Sequence, residues 1–226
     1  MSGLRVIITG ATGMVGEGVL LECLRNPAVG AVLTVNRRHF ELEHAKLTEL
    51  LVPDFRQATQ YAQNLEGYDA CFFCAGISSV GMKEDKFTSI TYDTTLAFAK
   101  TLQAVNPQMV FTYVSGAHTD STEKGRMMWA RVKGKTENDL TKLGFTAEYN
   151  FRPGAMVPFP EQKNWKPFFK LIVKVIKALS PKNVLSLHDL GGAMINAVIV
   201  GYPKNVLEIT DIRLLANATS DSSNHQ

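Results

Sequence analysis

Apolar and polar positions along the chain alternate between two periods. Leu4 to Thr9 carries the apolar, β-branched run Val6, Ile7, Ile8 and breaks at Gly10. From Val15 the apolar positions Val15, Val19, Leu20, Cys23 and Leu24 recur at helical spacing. The pattern predicts a strand, a tight turn and a helix. Short apolar runs at Ala31–Val35, Leu47–Val52, Asp69–Cys74, Met109–Val114 and Phe145–Phe151 predict further strands, and Thr88–Val105 and Met127–Leu143 predict helices between them. Asn106-Pro107 closes the first of these helices, and Gly144 stands where the second needs a C-cap. Nearly continuous apolar strands suit a sheet covered on both faces. With no internal repeat, the alternation implies an α/β fold: a Rossmann-like doubly wound parallel sheet with helices on both faces.

Towards the end the pattern changes. Trp165 to Leu179 places Phe168, Phe169, Leu171, Ile172, Val175, Ile176 and Leu179 on a helical period interleaved with four lysines. A basic amphipathic helix can lie on a membrane, but ordinary packing is the better expectation. A helix from Leu187 through Val200 follows, with Asp189 as its N-cap and His188 in the turn rather than on a metal, then a late strand over Val206–Thr210. Asn217 to Gln226 is polar without periodicity and reads as a mobile tail, leaving residues 1–216 as a single domain.

The chain's 226 residues, 45% of them hydrophobic, suffice for one substantial core. Charge is nearly balanced, 24 basic against 21 acidic residues, with no concentrated basic tract, so no nucleic-acid partner is expected. No apolar run approaches the roughly 18 residues of a membrane span, and no charged and apolar leader precedes the first strand, so the expected location is cytoplasmic. Three cysteines, an odd number, suit a reducing compartment. Cys71 and Cys74 have CxxC spacing inside a predicted strand, which favours buried thiols over a redox or metal pair.

Candidate chemistry begins at the first turn. Gly10, Gly13 and Gly16 follow a strand and open a helix, the context in which a glycine-rich loop offers backbone N–H groups and a helix N-terminus to a pyrophosphate. A plain helix start is the alternative. After the second strand come Arg37 and Arg38 with no carboxylate, which suits the 2′-phosphate of NADP(H) better than the free ribose of NAD; two solvated loop arginines are the alternative. Asp54 and Phe55, after the third strand, are placed for an adenine, or Asp54 serves a turn. Cys74, Ala75 and Gly76 end the fourth strand with small residues over which a dinucleotide can lie.

GATGMVG, NRR, VPDF, FFCAG, the serine of YVSGA, the lysine of WARVKGKTEN, and FRPGAMV together resemble the atypical short-chain dehydrogenase/reductase family, most closely its Tat-interacting-protein oxidoreductase-like, NAD-dependent epimerase/dehydratase-like branch. The resemblance runs from about Leu4 to Leu215. It implies that Gly10, Thr12, Gly13, Met14, Val15, Gly16, Arg37, Arg38, Cys74, Ala75, Gly76, Lys133 and Pro153 hold NADP(H), that Ser115 and Lys133 are the catalytic residues, and that the basic segment lies over the substrate end of the sheet. In that family a tyrosine stands four residues before the lysine; here the position is Trp129. An indole N–H donates and does not ionise near neutral pH, so Trp129 cannot be the acid/base. Ser115, His118, Tyr92 or a water would have to supply the proton, and Ser115 could equally be a strand-end hydroxyl capping a turn. The expectation is an NADP(H)-dependent oxidoreductase of a small carbonyl or hydroxyl compound. The alternative is a non-catalytic, NADP(H)-bound sensor or interaction module, which leaves a protein partner or a homo-oligomer open.

Overall fold

In a computed structural model, residues 3–162 and 184–218 are described. The strands are β1 (Leu4–Thr9), β2 (Val29–Asn36), β3 (Leu47–Leu51), β4 (Ala70–Phe73), β5 (Val110–Val114), β6 (Ala147–Phe151), β7 (Ala155–Val157), β8 (Val184–Ser186) and β9 (Val206–Leu207). The helices are α1 (Met14–Arg25), α2 (Glu84–Thr88), α3 (Thr94–Val105), α4 (Met128–Leu140), α5 (Leu187–Ile199) and α6 (Ile209–Ala216). A 3-10 helix covers Phe55–Leu65, and a π turn, Ser89–Asp93, joins α2 to α3.

Seven strands form one sheet in the order β3-β2-β1-β4-β5-β6-β9, every neighbouring pair parallel, so the expected doubly wound α/β fold is what the chain adopts. Chain order reverses between β1 and β4. A sheet of this topology opens a crevice at the carboxyl ends of its strands there. β7 and β8 make a separate parallel pair.

Alternation along the central strands builds two cores, one on each face of the sheet. Val6 and Ile8 of β1, with Ala70 and Phe72 of β4, meet α1, α5 and α6; Ile7, Cys71 and Phe73 meet the 3-10 helix and α3. Cys71 and Cys74 therefore project to opposite faces, and all three cysteines are free thiols, as the strand reading requires.

Boundaries depart from expectation in several places. The late strand stops at Leu207, because Glu208 and Asp211 form a capping box that starts α6 at Ile209. The cap of α5 is Ser186, whose hydroxyl accepts the Asp189 N–H at 2.9 Å, so Asp189 sits in the first turn, where its charge suits the helix dipole. His188 also belongs to that turn, its Nδ1 2.5 Å from the Glu22 carboxylate. Gly144 has φ +77° and ends the helical segment as expected. Asn217 and Ala218, placed in the tail by sequence, are bonded back onto α5 and α6. The basic segment Trp165–Leu179 and the remainder of the tail lie outside the described residues.

One buried acid in β6 is expected to make stability depend on pH. Burial, with the nearby Glu137 charge, pushes the Glu148 carboxyl up to about 8, against hydrogen bonds from Thr141, Asn150 and Asn205. The folded chain keeps this proton at pH values where the unfolded chain, titrating near 4.5, has released it. The contribution to stability is thus complete below the unfolded value, declines by at most roughly 1.4 kcal/mol per pH unit above it, and is lost as pH passes the folded value. Denaturant melts of wild type and Glu148→Gln should diverge as pH rises from about 5 to about 9, the wild type losing more.

Candidate functional site

The glycine turn shows a division of labour. Gly10 has φ +74°, and a Cβ there would lie 2.7 Å from the Ala75 Cα; a Cβ on Gly16 would lie 2.2 Å from the Gly10 carbonyl oxygen. Both are glycines because the chain packs on itself. Gly13 is different: the nearest atom to an added Cβ is the Gly10 oxygen, at 3.4 Å. Gly13 is the N-cap of α1, extended at φ −103°, and has no side chain to cap the helix. Among the described residues no side chain accepts from the first N–H groups of α1, at the positive end of the helix dipole.

This turn borders a cleft of about 380 Å³, which continues over the ends of β2, β3 and β4 to the π turn. That volume lies within the usual range of small-molecule sites, roughly 300–1,000 Å³. Of the residues expected at a cofactor, Gly10, Thr12, Gly13, Arg37, Asp54, Phe55, Cys74, Ala75 and Gly76 line it. Met14, Val15, Gly16, Arg38, Lys133 and Pro153 do not. Met14 and Val15 pack against the core, and Gly16 lies beneath the turn. Arg37 and Arg38 are both exposed and make no hydrogen bond or ion pair among the described residues, but only Arg37 reaches the cleft.

Asp54 does what a turn aspartate does. Its carboxylate accepts the Arg56 N–H at 3.0 Å, capping the 3-10 helix, and binds the Arg56 guanidinium, which holds the carboxyl below its usual range. Phe55 is buried against Phe98 and Phe73, ring centroids 5.0 and 6.3 Å apart, so most of its surface belongs to the core. Cys74 is partly buried, and burial pushes its thiol up, far from thiolate chemistry.

Sequence reasoning missed Asn36, Arg56, Ser89, Ile90 and Thr94, all at the cleft. Asn36 accepts the Ala11 N–H through Oδ1 at 3.2 Å and donates through Nδ2 to Glu49 at 3.2 Å, tying the glycine turn to the end of β2. Its place between a strand and Arg37 was a signal. Ser89 and Ile90 reach the cleft through a π turn inside what the sequence reads as one helix, and nothing in the periodicity announces it.

A second group of residues gathers where β5 and β6 end. The Ser115 N–H donates to the Phe151 carbonyl at 2.8 Å and the Ala117 N–H to the Pro153 carbonyl at 3.1 Å, joining the serine turn to the Arg152-Pro153-Gly154 turn. Thr119 donates its hydroxyl to the Gly116 carbonyl at 2.8 Å, so at the 3.0 Å contact between Ser115 and Thr119 it is Ser115 that donates. Lys133 donates to the carbonyls of Val114 and Ser115, both at 3.2 Å, and its ammonium lies 5.3 Å from the centre of the Tyr113 ring. Burial lowers the Lys133 ammonium to about 8, with Glu137 opposing the shift. Trp129 stands one turn earlier on α4, with its ring against Gly116. Trp129 and Lys133 thus share a helix face, as their spacing implies.

Of the candidate proton donors, His118 is exposed in the serine turn with a left-handed φ of +67°, whereas Tyr92 donates to Asp139 at 2.8 Å under the Lys135 ammonium, on another face of α4. A buried ion pair between Arg152 and Glu137 clamps α4 to the turn after β6, with Ser121 accepting a further N–H of Arg152 at 2.6 Å.

Residues 6–135 match the profile of the NAD dependent epimerase/dehydratase family. Protein HTATIP2 of Rattus norvegicus is 28% identical over 159 residues, covering 70% of this chain and 64% of that protein. Protein fmp52, mitochondrial, of Emericella nidulans is 28% identical over 156 residues, 66% of this chain and 65% of its own length. The chain thus matches slightly less than two thirds of the length of these relatives. The fungal relative's name gives the expected cytoplasmic location no support, and no helix among the described residues is long and apolar enough to cross a membrane. The Bordetella bronchiseptica enzyme WbmF, solved in complex with NAD+, superposes with a TM-score of 0.69 at 16% identity, over 95% of this chain and 77% of that one, a likeness of fold.

Proposed function

We propose, from the premise that this chain belongs to the NAD dependent epimerase/dehydratase family, that it binds NADP(H) and acts as an oxidoreductase on a small carbonyl or hydroxyl compound. One observation carries the reading: the uncapped N-terminus of α1, with space at Gly13 that the protein's own packing leaves open, faces a cleft that Arg37 enters from the end of β2. A diphosphate fits this cradle in charge and in shape. NADP(H), when bound, would supply or accept the hydride. Arg37 would neutralise the 2′-phosphate, Gly13 would give the diphosphate backbone access, and Gly76 and Ala75 would let the ribose cross the end of β4. Lys133 has three ammonium hydrogens, two of them directed at main-chain carbonyls, which leaves one for a ribose hydroxyl. Ser115, with its proton committed to Thr119, has lone pairs free to accept from a substrate hydroxyl.

Trp129 favours a second reading, a bound cofactor without turnover in a sensor or interaction module, because no ionisable group occupies the acid/base position one turn from Lys133. Assaying a panel of carbonyl substrates with NADPH separates the two. Turnover lost in Lys133→Ala is the enzyme's result, and tight NADPH binding with no turnover is the sensor's.

Cofactor choice is tested by titrating both forms. One or two charge-assisted bonds to the 2′-phosphate, at roughly 1.5–3 kcal/mol each, should make NADPH bind at least tenfold more tightly than NADH. Equal dissociation constants would remove NADP(H) from the reading.

A further inference from the structure

Three arginines stand near the adenosine end of the cleft, and their roles separate on geometry. β2 and β3 pair in register, Asn36 opposite Leu51, and the Val52 N–H donates to the Asn36 carbonyl at 2.8 Å. The segment leaving β2 at Arg37 therefore emerges beside the segment leaving β3, Pro53 to Arg56. Arg37 and Arg56 both line the cleft and Arg38 does not. The remaining charged group of the lining is Asp54, so two guanidinium charges meet one carboxylate.

Arg56 is held by one edge only. Its Nε lies 3.0 and 3.1 Å from the two Asp54 oxygens and its Nη2 2.8 Å from Oδ2, while Nη1 makes no hydrogen bond among the described residues. A guanidinium has five N–H donors in a fixed plane and can serve two anions on two edges. Asp54 thus fixes the plane of Arg56 and leaves its outer edge available, so less side-chain freedom is lost when a second anion arrives.

We propose that Arg56, with Arg37, forms the cationic clamp for the phosphate on the adenosine ribose, and that Arg38 takes no part in it; the proposal rests on the NADP(H) reading above. The charges are opposite in sign. A phosphate monoester carries nearly two negative charges at neutral pH, and the lining meets it with two guanidinium charges, one of them shared with Asp54.

The test uses adenosine 2′,5′-bisphosphate and adenosine 5′-monophosphate as probes, titrated calorimetrically onto the full chain, so that no turnover is needed. Wild type should prefer the bisphosphate. Arg56→Ala should lose roughly tenfold in bisphosphate affinity and nothing in monophosphate affinity, a modest loss because the side chain is half exposed and screened. Arg38→Ala should change neither. The double variant Asp54→Asn, Arg56→Ala should keep the loss, since the missing contact is to phosphate. A wild type that prefers the bisphosphate and retains that preference in Arg56→Ala overturns the clamp alone. So does recovery of affinity in the double variant, which would mean that Arg56 only masks Asp54, or an equal loss of both probes. A wild type without preference overturns the NADP(H) reading and the clamp with it.

Discussion

Gly13→Val is expected to abolish NADPH binding while the protein stays folded. At Gly13 an added Cβ meets, among the described residues, only the Gly10 carbonyl oxygen at 3.4 Å, and φ of −103° is open to any residue, so the protein's own packing does not oppose a side chain starting there. The space it takes is the approach to the first N–H groups of α1, which is where a diphosphate must come within hydrogen-bonding distance. Gly16→Val provides the contrast. Its Cβ would lie 2.2 Å from the Gly10 oxygen, so the turn and the start of α1 must shift, and this variant should lose thermal stability as well as binding. Circular dichroism melts alongside NADPH titration separate the two outcomes. A Gly13→Val protein that melts like Gly16→Val would make Gly13 a packing residue, and one that still binds NADPH would take the diphosphate away from α1.

Trp129→Tyr should raise carbonyl reduction, by about 10²- to 10⁴-fold where the rest of the site is intact, which is the usual worth of a positioned general acid. The substitution places an ionisable hydroxyl one helical turn from Lys133, whose ammonium titrates near 8 and, while charged, lowers the pKa of a neighbouring phenol. It also trims a ring that now rests on Gly116, opening volume beside the serine turn. The measurement is NADPH consumption across pH for both proteins, with NADPH affinity determined separately. A variant no faster than wild type, with affinity unchanged, would show that proton delivery is decided elsewhere, and His118 in the serine turn would then be the group to replace.

The difference between Trp129 and the arginines shows how far the sequence reaches. Trp129 and Lys133 are four residues apart on one helix, so a local rule places them on one face, and the structure agrees. Arg37, Arg38 and Arg56 belong to two segments leaving different strands. Which two of the three meet at the cleft depends on the register of β2 against β3, a relation between residues distant in the chain.

The strand, turn and helix at Leu4–Arg25, the order of the elements along the chain and the buried strand that carries Cys71 were all written in the local sequence. Periodicity reports which side of an element is buried, and glycine and proline report the backbone. Tertiary structure alone decided that Lys133 turns to the carbonyls of Val114 and Ser115, that Phe55 joins the core, that Ser186 rather than Asp189 caps α5, and that a π turn carries Ser89 and Ile90 to the cleft. Each is a competition for partners among groups brought together by folding. A donor, a ring or a capping hydroxyl takes the neighbour that packing supplies, and that neighbour has no fixed place in the sequence.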